Sequence, residues 1–206
     1  MPLVPIVIER SGREERAMDI YSRLLQDRII LIGSVLTDEV ANLVVAQLLV
    51  LAHQDAKAEI AVYINSPGGS LTATLAVYDT MQFIECPVAT YCIGLAASGG
   101  AILLAGGAKG KRFALPHSKI MIHQPSGYVG GQVSDISIQA DQIQKNKRLV
   151  EKILANRCSK SAEQIEAEIR RDRYMTAVEA KEYGLIDHVV QDKTGQKDFL
   201  PAPSAK

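Results

Sequence analysis

A serine set among small residues, in Gly94-Leu95-Ala96-Ala97-Ser98-Gly99-Gly100, is the feature of this chain best suited to covalent chemistry. A nucleophilic serine needs room on a tight turn, and these neighbours supply it. A G-x-S-x-G elbow, however, has glycine where Ala96 stands. Serine is also a common helix N-cap, so the pattern alone leaves Ser98 with two readings. A second glycine turn, Asn65-Ser66-Pro67-Gly68-Gly69, likewise follows an apolar run and precedes a helical pattern. Glycines let the backbone approach a substrate closely, and N–H groups on two such turns can stabilise charge developing on a carbonyl oxygen. Each turn taken singly is equally ordinary as a βα connection.

A serine nucleophile needs a base, and the chain has four histidines. His53 falls at a helix end, where it acts as a cap. His117 sits in a turn beside Pro116, and His188 opens the last strand beside Asp187. His123 follows Ile120-Met121-Ile122 and precedes Gln124-Pro125, which puts it at a sheet edge and makes it the best candidate. The acid that would orient its imidazole stays open among Asp55, Asp79, Asp135, Asp172 and Asp187. Other chemistries are not signalled. The stretch from Gly106 to Arg112 looks like a phosphate loop, but Ala105 stands where glycine is required and Arg112 where Ser or Thr is. There is no H-E-x-x-H, no C-x-x-C and no G-x-G-x-x-G after a strand, so neither a metal nor a cofactor is expected.

Those residues must be held by the surrounding elements. Apolar runs predict strands over 28–32, 60–64, 88–93, 112–114, 119–122 and 188–190. Helical patterns cover 19–27, 38–52, 71–83, 98–105, 133–155, 161–170 and 177–183. Residues 94–97 read as a turn. Strand and helix in alternation imply βαβ units around a mostly parallel sheet, with both glycine turns at its carboxyl edge. Within 38–52, Val40, Leu43, Val44, Leu48 and Leu51 form one apolar stripe, and Val45 and Leu49 a second edge, which points to a subunit contact. The helix over 133–155 keeps a spacing of three to four through Ile136, Ala140, Ile143, Val150 and Leu154 but is otherwise polar, as an arm leaving the core would be. The resulting organisation is an N-terminal segment over 1–18, a head over 19–125 and 159–190, an arm over 126–158 and a flexible tail over 191–206.

Composition narrows the function classes. The 206 residues are 47% hydrophobic and 22% charged, enough to bury a substantial core. Lys+Arg and Asp+Glu both total 23, so neither a nucleic acid nor an anionic membrane is an expected partner, while zero net charge mildly favours an oligomer. The absence of Trp argues against a carbohydrate- or base-stacking surface. Residues 86–108 carry no charge and could span a bilayer on length alone, but Pro87 and five glycines fit a buried strand running into a buried helix. The N-terminus has no basic region and reaches Glu9-Arg10 too soon for a signal peptide. Three cysteines, Cys86, Cys92 and Cys158, suit a reducing compartment. A soluble cytoplasmic protein is expected.

Longer motifs go further. Val4-Pro5-Ile6-Val7-Ile8-Glu9, Tyr63-Ile64-Asn65-Ser66-Pro67-Gly68-Gly69, Tyr78-Asp79-Thr80-Met81-Gln82, Ala96-Ala97-Ser98, Gly107-Ala108-Lys109-Gly110-Lys111-Arg112-Phe113, Ile122-His123-Gln124-Pro125 and Glu182-Tyr183-Gly184-Leu185-Ile186-Asp187 occur in an order that resembles the proteolytic subunit of the Clp protease, ClpP, from about residue 3 to 190. The resemblance implies an α/β, crotonase-like (ClpP-type) fold with a protruding helical handle, which the arm matches. It implies a serine endopeptidase whose triad falls on Ser98, His123 and Asp172, with an oxyanion hole from the N–H groups of Gly69 and Gly99. It further implies two stacked heptameric rings enclosing the active sites, with ring-ring contacts matching Arg170 and Arg171. An AAA+ unfoldase of the ClpX or ClpA/ClpC type would use ATP to thread unfolded protein substrates inside. Leu49, Tyr63 and Phe83 match part of the intersubunit cleft where that ATPase docks.

The chain also departs from the family pattern. Gly99 stands where Met is usual, Thr74 where Gly is common, His117 where Asn is usual and Ala61 where an aromatic often occurs. Arg170 stands where many members carry an acid that pairs with the arginine at 171, and the mature-like start close to Met1 leads to the expectation that the usual propeptide is missing or very short. Two other readings share the same residues. A crotonase-fold enzyme acting on acyl-CoA would use the two N–H groups without a nucleophile. An inactive ring paralogue would serve as a scaffold.

Overall fold

A computed structural model describes residues 4–11, 14–127 and 129–190, so the tail expected over 191–206 lies outside the described residues. The chain opens with a hairpin that the sequence patterns do not signal, β1 (Ile6–Ser11) paired antiparallel with β2 (Glu14–Asp19). Ile6 and Ile8 are exposed on it. Asp19 ends the hairpin and caps α1 (Ile20–Gln26), its carboxylate accepting from the N–H groups of Tyr21 and Ser22.

The alternation expected from the sequence then unfolds in order. Strand β3 (Ile29–Ile32) leads to α2 (Asp38–Gln54), which Thr37 caps. β4 (Ile60–Ser66) is followed by α3 (Leu71–Phe83), and β5 (Val88–Ala97) by α4 (Gly99–Ala105). β3, β4 and β5 are parallel neighbours. Beyond β5 the sheet divides: β6 (Arg112–Ala114) pairs with Thr90 to Cys92, and β7 (Lys119–Ile122) with Leu95 to Ala97. Because β5 is ten residues long, one strand holds both branches.

Residues 94–97 are therefore strand, not the expected turn. Between Ile64 and Ser66 the β4–β5 register shifts, and Asn65 Oδ1 accepts the N–H of Leu95 at 3.1 Å, which satisfies a donor the bulge would strand. A Cβ on Gly94 would stand 2.7 Å from that oxygen. Gly94, which suggests a turn, is glycine because the Asn65 side chain from β4 lies against it.

After β7 comes α5 (Val133–Cys158), three residues longer than predicted at its end. Its buried residues lie between Val150 and Cys158, whereas Val133 and Ile138 are exposed. Its 26 residues span about 39 Å, most of it clear of the core. α6 (Ala162–Glu168) begins with a capping box of Ser161 and Gln164 and is shorter than expected. β8 (Arg173–Thr176), which the patterns miss because only Met175 on it is buried, pairs antiparallel with β7. α7 (Ala177–Tyr183) and β9 (His188–Val189) complete the chain, β9 pairing with β6.

The main core lies between the sheet and α2–α4, with Ile32, Leu48, Ile64, Val77 and Leu103 all essentially inaccessible. One expectation for α2 needs correcting. Ala41, Val44, Leu48 and Leu51 are its buried residues, while Leu43 is 61% exposed and Leu49 46%. Leu43 lies one position off the face that meets the core, and joins Tyr21, Leu24, Ile29, Leu31 and Val40 along an apolar groove. The opposite face of the sheet carries a smaller cluster, where Tyr63, Tyr91, Phe113 and His188 stack ring on ring at 4.7, 4.8 and 5.3 Å. The three cysteines are buried and free. Among the described residues no helix is long and apolar enough to cross a membrane, and no cluster of His, Cys, Asp and Glu could hold a metal.

The branch carrying β6 and β9 is locked by one ion pair. Arg112 binds the Asp187 carboxylate through Nε at 2.9 Å and Nη2 at 2.6 Å, and Nη1 donates to the carbonyls of Arg157 and Gly184. Burial opposes ionisation of Asp187, but the bonds from Arg112 outweigh it and hold the carboxyl below its ordinary range. Its stabilisation is therefore complete above the unfolded carboxylate pKa and is lost as pH falls through the lower folded value. Asp187→Asn leaves a buried guanidinium without its counterion and should cost about 3 kcal/mol at neutral pH, read as a lowered denaturation midpoint. The deficit should shrink on acidification, once the pH falls below the ordinary carboxylate range and the wild-type carboxyl protonates as well.

Candidate active site

Backbone geometry brings Ser98 and His123 together. Ala97 pairs with Met121 in the parallel β5–β7 ladder, and the Ser98 N–H donates to the Met121 carbonyl at 2.9 Å. Ser98 thus leaves β5 beside the end of β7, and His123 follows one residue after that strand stops. The antiparallel β7–β8 register ends with Ile122 opposite Arg173, so the next residues outward are His123 and Asp172. Gln124 extends the contact, its N–H donating to the Ile169 carbonyl at 2.8 Å and its side-chain amide to that of Arg170 at 3.2 Å.

The side chains complete the line. His123 Nε2 lies 2.9 Å from Ser98 Oγ, and Nδ1 lies 3.1 Å from Asp172 Oδ1. With the proton on Nδ1, that nitrogen donates to the carboxylate and leaves Nε2 free to accept from the serine hydroxyl. The Asp172 side chain is 57% exposed, so it holds the ring by one directional bond more than by burial. The remaining candidates lie elsewhere. His53 is in the last turn of α2, His117 follows Pro116 in the turn between β6 and β7, and His188 stacks on Phe113. Asp55 caps the end of α2, Asp79 lies within α3, Asp135 within the first turn of α5, and Asp187 is bound to Arg112.

Ser98 itself is conformationally unusual. It sits at φ 54° and ψ −118°, a region that L residues avoid, and although it stands at the N-cap of α4 its side chain makes no cap bond. The capping reading of Ser98 is thereby set aside, and its hydroxyl faces His123 instead. Strain of this kind persists only where the surroundings impose it. Here they do: a Cβ on Gly68 would lie 2.8 Å from both Ser98 Cβ and Gly99 N, so the 66–70 turn presses directly on the elbow.

That turn is sewn in place from its other side. Leu36 donates its N–H to the Gly68 carbonyl at 2.8 Å and accepts the Ser70 N–H at 2.9 Å. These bonds flank Gly69 and do not use its own N–H. A Cβ at Gly69 would lie 2.3 Å from the Leu36 carbonyl oxygen, so only glycine allows so close a strand. Ser66 Oγ fastens the base, donating to the Ser34 carbonyl at 2.6 Å and accepting the Gly68 N–H at 3.1 Å. Gly99 is the first residue of α4, where an N–H has no intrahelical acceptor. Leu36 carries no sequence signal for this role, since an apolar residue between elements forms no motif, whereas Ser66 is visible only as part of the glycine turn it fastens. Beside Ser98 opens a cavity of about 190 Å³ whose walls include Gly69, Leu71, Ile102, Pro125, Val150 and Leu154.

The other predicted residues are placed less closely together. Leu49 lies exposed on α2 and Phe83, 82% exposed, ends α3, while Tyr63 is buried on the opposite face of the sheet. Within one chain the three form no common cleft. Burial pushes the Tyr63 hydroxyl up to about 12, so it stays a neutral hydrogen-bonding group. Arg170 and Arg171 join Asp172, His123, Gln124 and Ser126 around a shallow hollow next to the imidazole. Compared with known families, the chain matches the model of the Clp protease family over residues 12–193.

Proposed function

Because the chain belongs to the Clp protease family, we propose that it is a serine endopeptidase in which Ser98, His123 and Asp172 act as a triad. The observation carrying this reading is the pair of contacts on His123, 2.9 Å to a strained serine and 3.1 Å to a carboxylate. Ser98 Oγ attacks the peptide carbonyl carbon as its proton passes to His123 Nε2. The N–H groups of Gly69 and Gly99 stabilise the oxyanion, and Asp172 holds the imidazolium. His123 then protonates the leaving amine, and water, deprotonated by the same nitrogen, releases the acyl group. The cavity beside Ser98, with Leu71, Ile102, Val150 and Leu154 among its walls, suits an aromatic or branched side chain of the substrate, since about 150 Å³ suffices for a benzene ring.

Under this reading the chain works as two stacked heptameric rings served by an AAA+ unfoldase, which alone uses ATP. The exposed apolar residues of α2 and its groove suit contacts between subunits, and Leu49, Tyr63 and Phe83 come together only where two chains meet. The N-terminal hairpin would then lie toward the axial entrance, the 126–158 arm would act as the handle between rings, and the compartment would be the cytoplasm. The test is fluorophosphonate labelling of the purified protein, with the native mass measured alongside. Labelling at Ser98 and cleavage of short peptides without ATP, with a stable folded domain left intact, is the expected result. A ring of the right mass that does not label would favour the scaffold reading, and an unlabelled protein that turns over acyl-CoA would favour the thioester enzyme.

A further inference from the structure

The glycine after the nucleophile needs a physical reason. Its backbone does not supply one: Gly99 is absent from the positive-φ glycines and lies in ordinary helical geometry. Its surroundings do. A Cβ there would stand 2.3 Å from Thr74 Oγ1, 3.3 Å from Thr74 Cβ and 3.2 Å from Leu36 Cδ1. Thr74 is wholly buried in the first turn of α3 and lines the cavity beside Ser98. Its hydroxyl is fixed, donating to the Ser70 carbonyl at 2.9 Å, the same oxygen that accepts the Thr74 N–H. Ser70 is in turn the residue after Gly69. Thr74 therefore leans from one glycine turn onto the other, and Gly68 lies so close that a Cβ on it would stand 2.8 Å from Gly99 N.

We propose that Thr74 is a positioning residue for the reaction, a prop that sets where the Gly99 N–H points and that requires glycine at position 99. The inference rests on the reading of Ser98 as nucleophile and of the Gly99 N–H as an oxyanion donor. Thr74 fills the space that a side chain at 99 would need, so the two positions act as one steric unit. If the prop is removed, the cavity floor opens toward α3 and the Gly99 amide loses its backing. Such a change weakens an interaction made only in the transition state, and it shows in kcat more than in KM.

A double-mutant cycle on the assembled protein tests this. Gly99→Ala should lower kcat for a short peptide by about 10²-fold, the usual cost of a displaced oxyanion donor, with KM changed less than about threefold. Thr74→Ala, which clears the space, should restore about tenfold or more of that loss in the double variant, as expected for residues in contact. Thr74→Val keeps the bulk without the hydroxyl and should give no rescue of Gly99→Ala. Should the alanine at 99 prevent folding, the thermal midpoint of the double variant carries the same comparison, since relief of the clash must raise it above that of Gly99→Ala. Wild-type kcat in Gly99→Ala, or a double variant no better than Gly99→Ala in both rate and midpoint, overturns the proposal. Fluorophosphonate labelling of wild type separates the two levels: without it the nucleophile reading fails, and with it a failed cycle counts against the prop alone.

Discussion

Ser98→Ala should lose on the order of 10⁴-fold or more of its peptidase rate while keeping its fold and its native mass. The hydroxyl makes its contact with His123 and caps nothing, so its removal leaves the α4 terminus as it was. The backbone bonds of residue 98 remain, from its N–H to the Met121 carbonyl and into its own carbonyl from Ala101 and Ile102. A stability change within about 1 kcal/mol is therefore expected. Ser98→Gly makes the sharper comparison. It removes the same hydroxyl, but glycine accepts φ 54° without penalty, so the inactive variant should be more stable than Ser98→Ala by roughly 0.5–1 kcal/mol. Turnover on a short fluorogenic peptide, together with the two denaturation midpoints, checks both parts. Near wild-type turnover in either variant would show that the nucleophile lies elsewhere.

What the sequence made legible follows from how local each signal is. Buried parallel strands announce themselves as apolar runs, so β3, β4, β6 and β7 fall close to where periodicity puts them. β8 does not, because an edge strand with one buried residue has no pattern to show. His123 could be preferred from its place at a strand end, but the choice of Asp172 among five aspartates depends on the β7–β8 register, which is a non-local property. Only the family resemblance pointed to it beforehand. The glycine turns were visible, yet the reason each must be glycine lay in strands and helices far along the chain: Leu36 for Gly69, and Thr74 for Gly99. Thr74 and Gly99 were legible as two separate departures from the family pattern. Their contact makes them two halves of one packing arrangement, which no single position could reveal.

The second large effect is expected on particle mass. Two adjacent guanidinium groups, Arg170 and Arg171, stand beside Asp172, and in a two-fold contact between rings the same pair would meet itself. The acids nearest in sequence are already committed within the chain. Glu166 accepts from Lys147 at 2.9 Å, and that bond, more than the weaker pull of Arg170, holds its carboxyl below its ordinary range. Glu168 lies between Lys160 at 3.5 Å and Arg173 at 3.6 Å. Asp135 sits apart in the first turn of α5. Four cations facing one another with only the two Asp172 carboxylates beside them repel, and salt screens that repulsion over about 8–10 Å. If the chain assembles into the proposed double ring, that particle should accordingly be weak at low salt and strengthen as salt is added, and Arg170→Asp should hold it together at both. The catalytic line should follow the same equilibrium, because Gln124 ties the Arg170 carbonyl to the residue after His123, and Asp172 is only two residues further on. Sedimentation and peptidase rate measured on wild type and Arg170→Asp at low and high salt would show it: mass and activity rise together with salt in the wild type, and neither depends on salt in the variant. A wild-type double ring equally robust at both salts, with nothing gained from the aspartate, would mean that Arg170 faces solvent and takes no part in the contact.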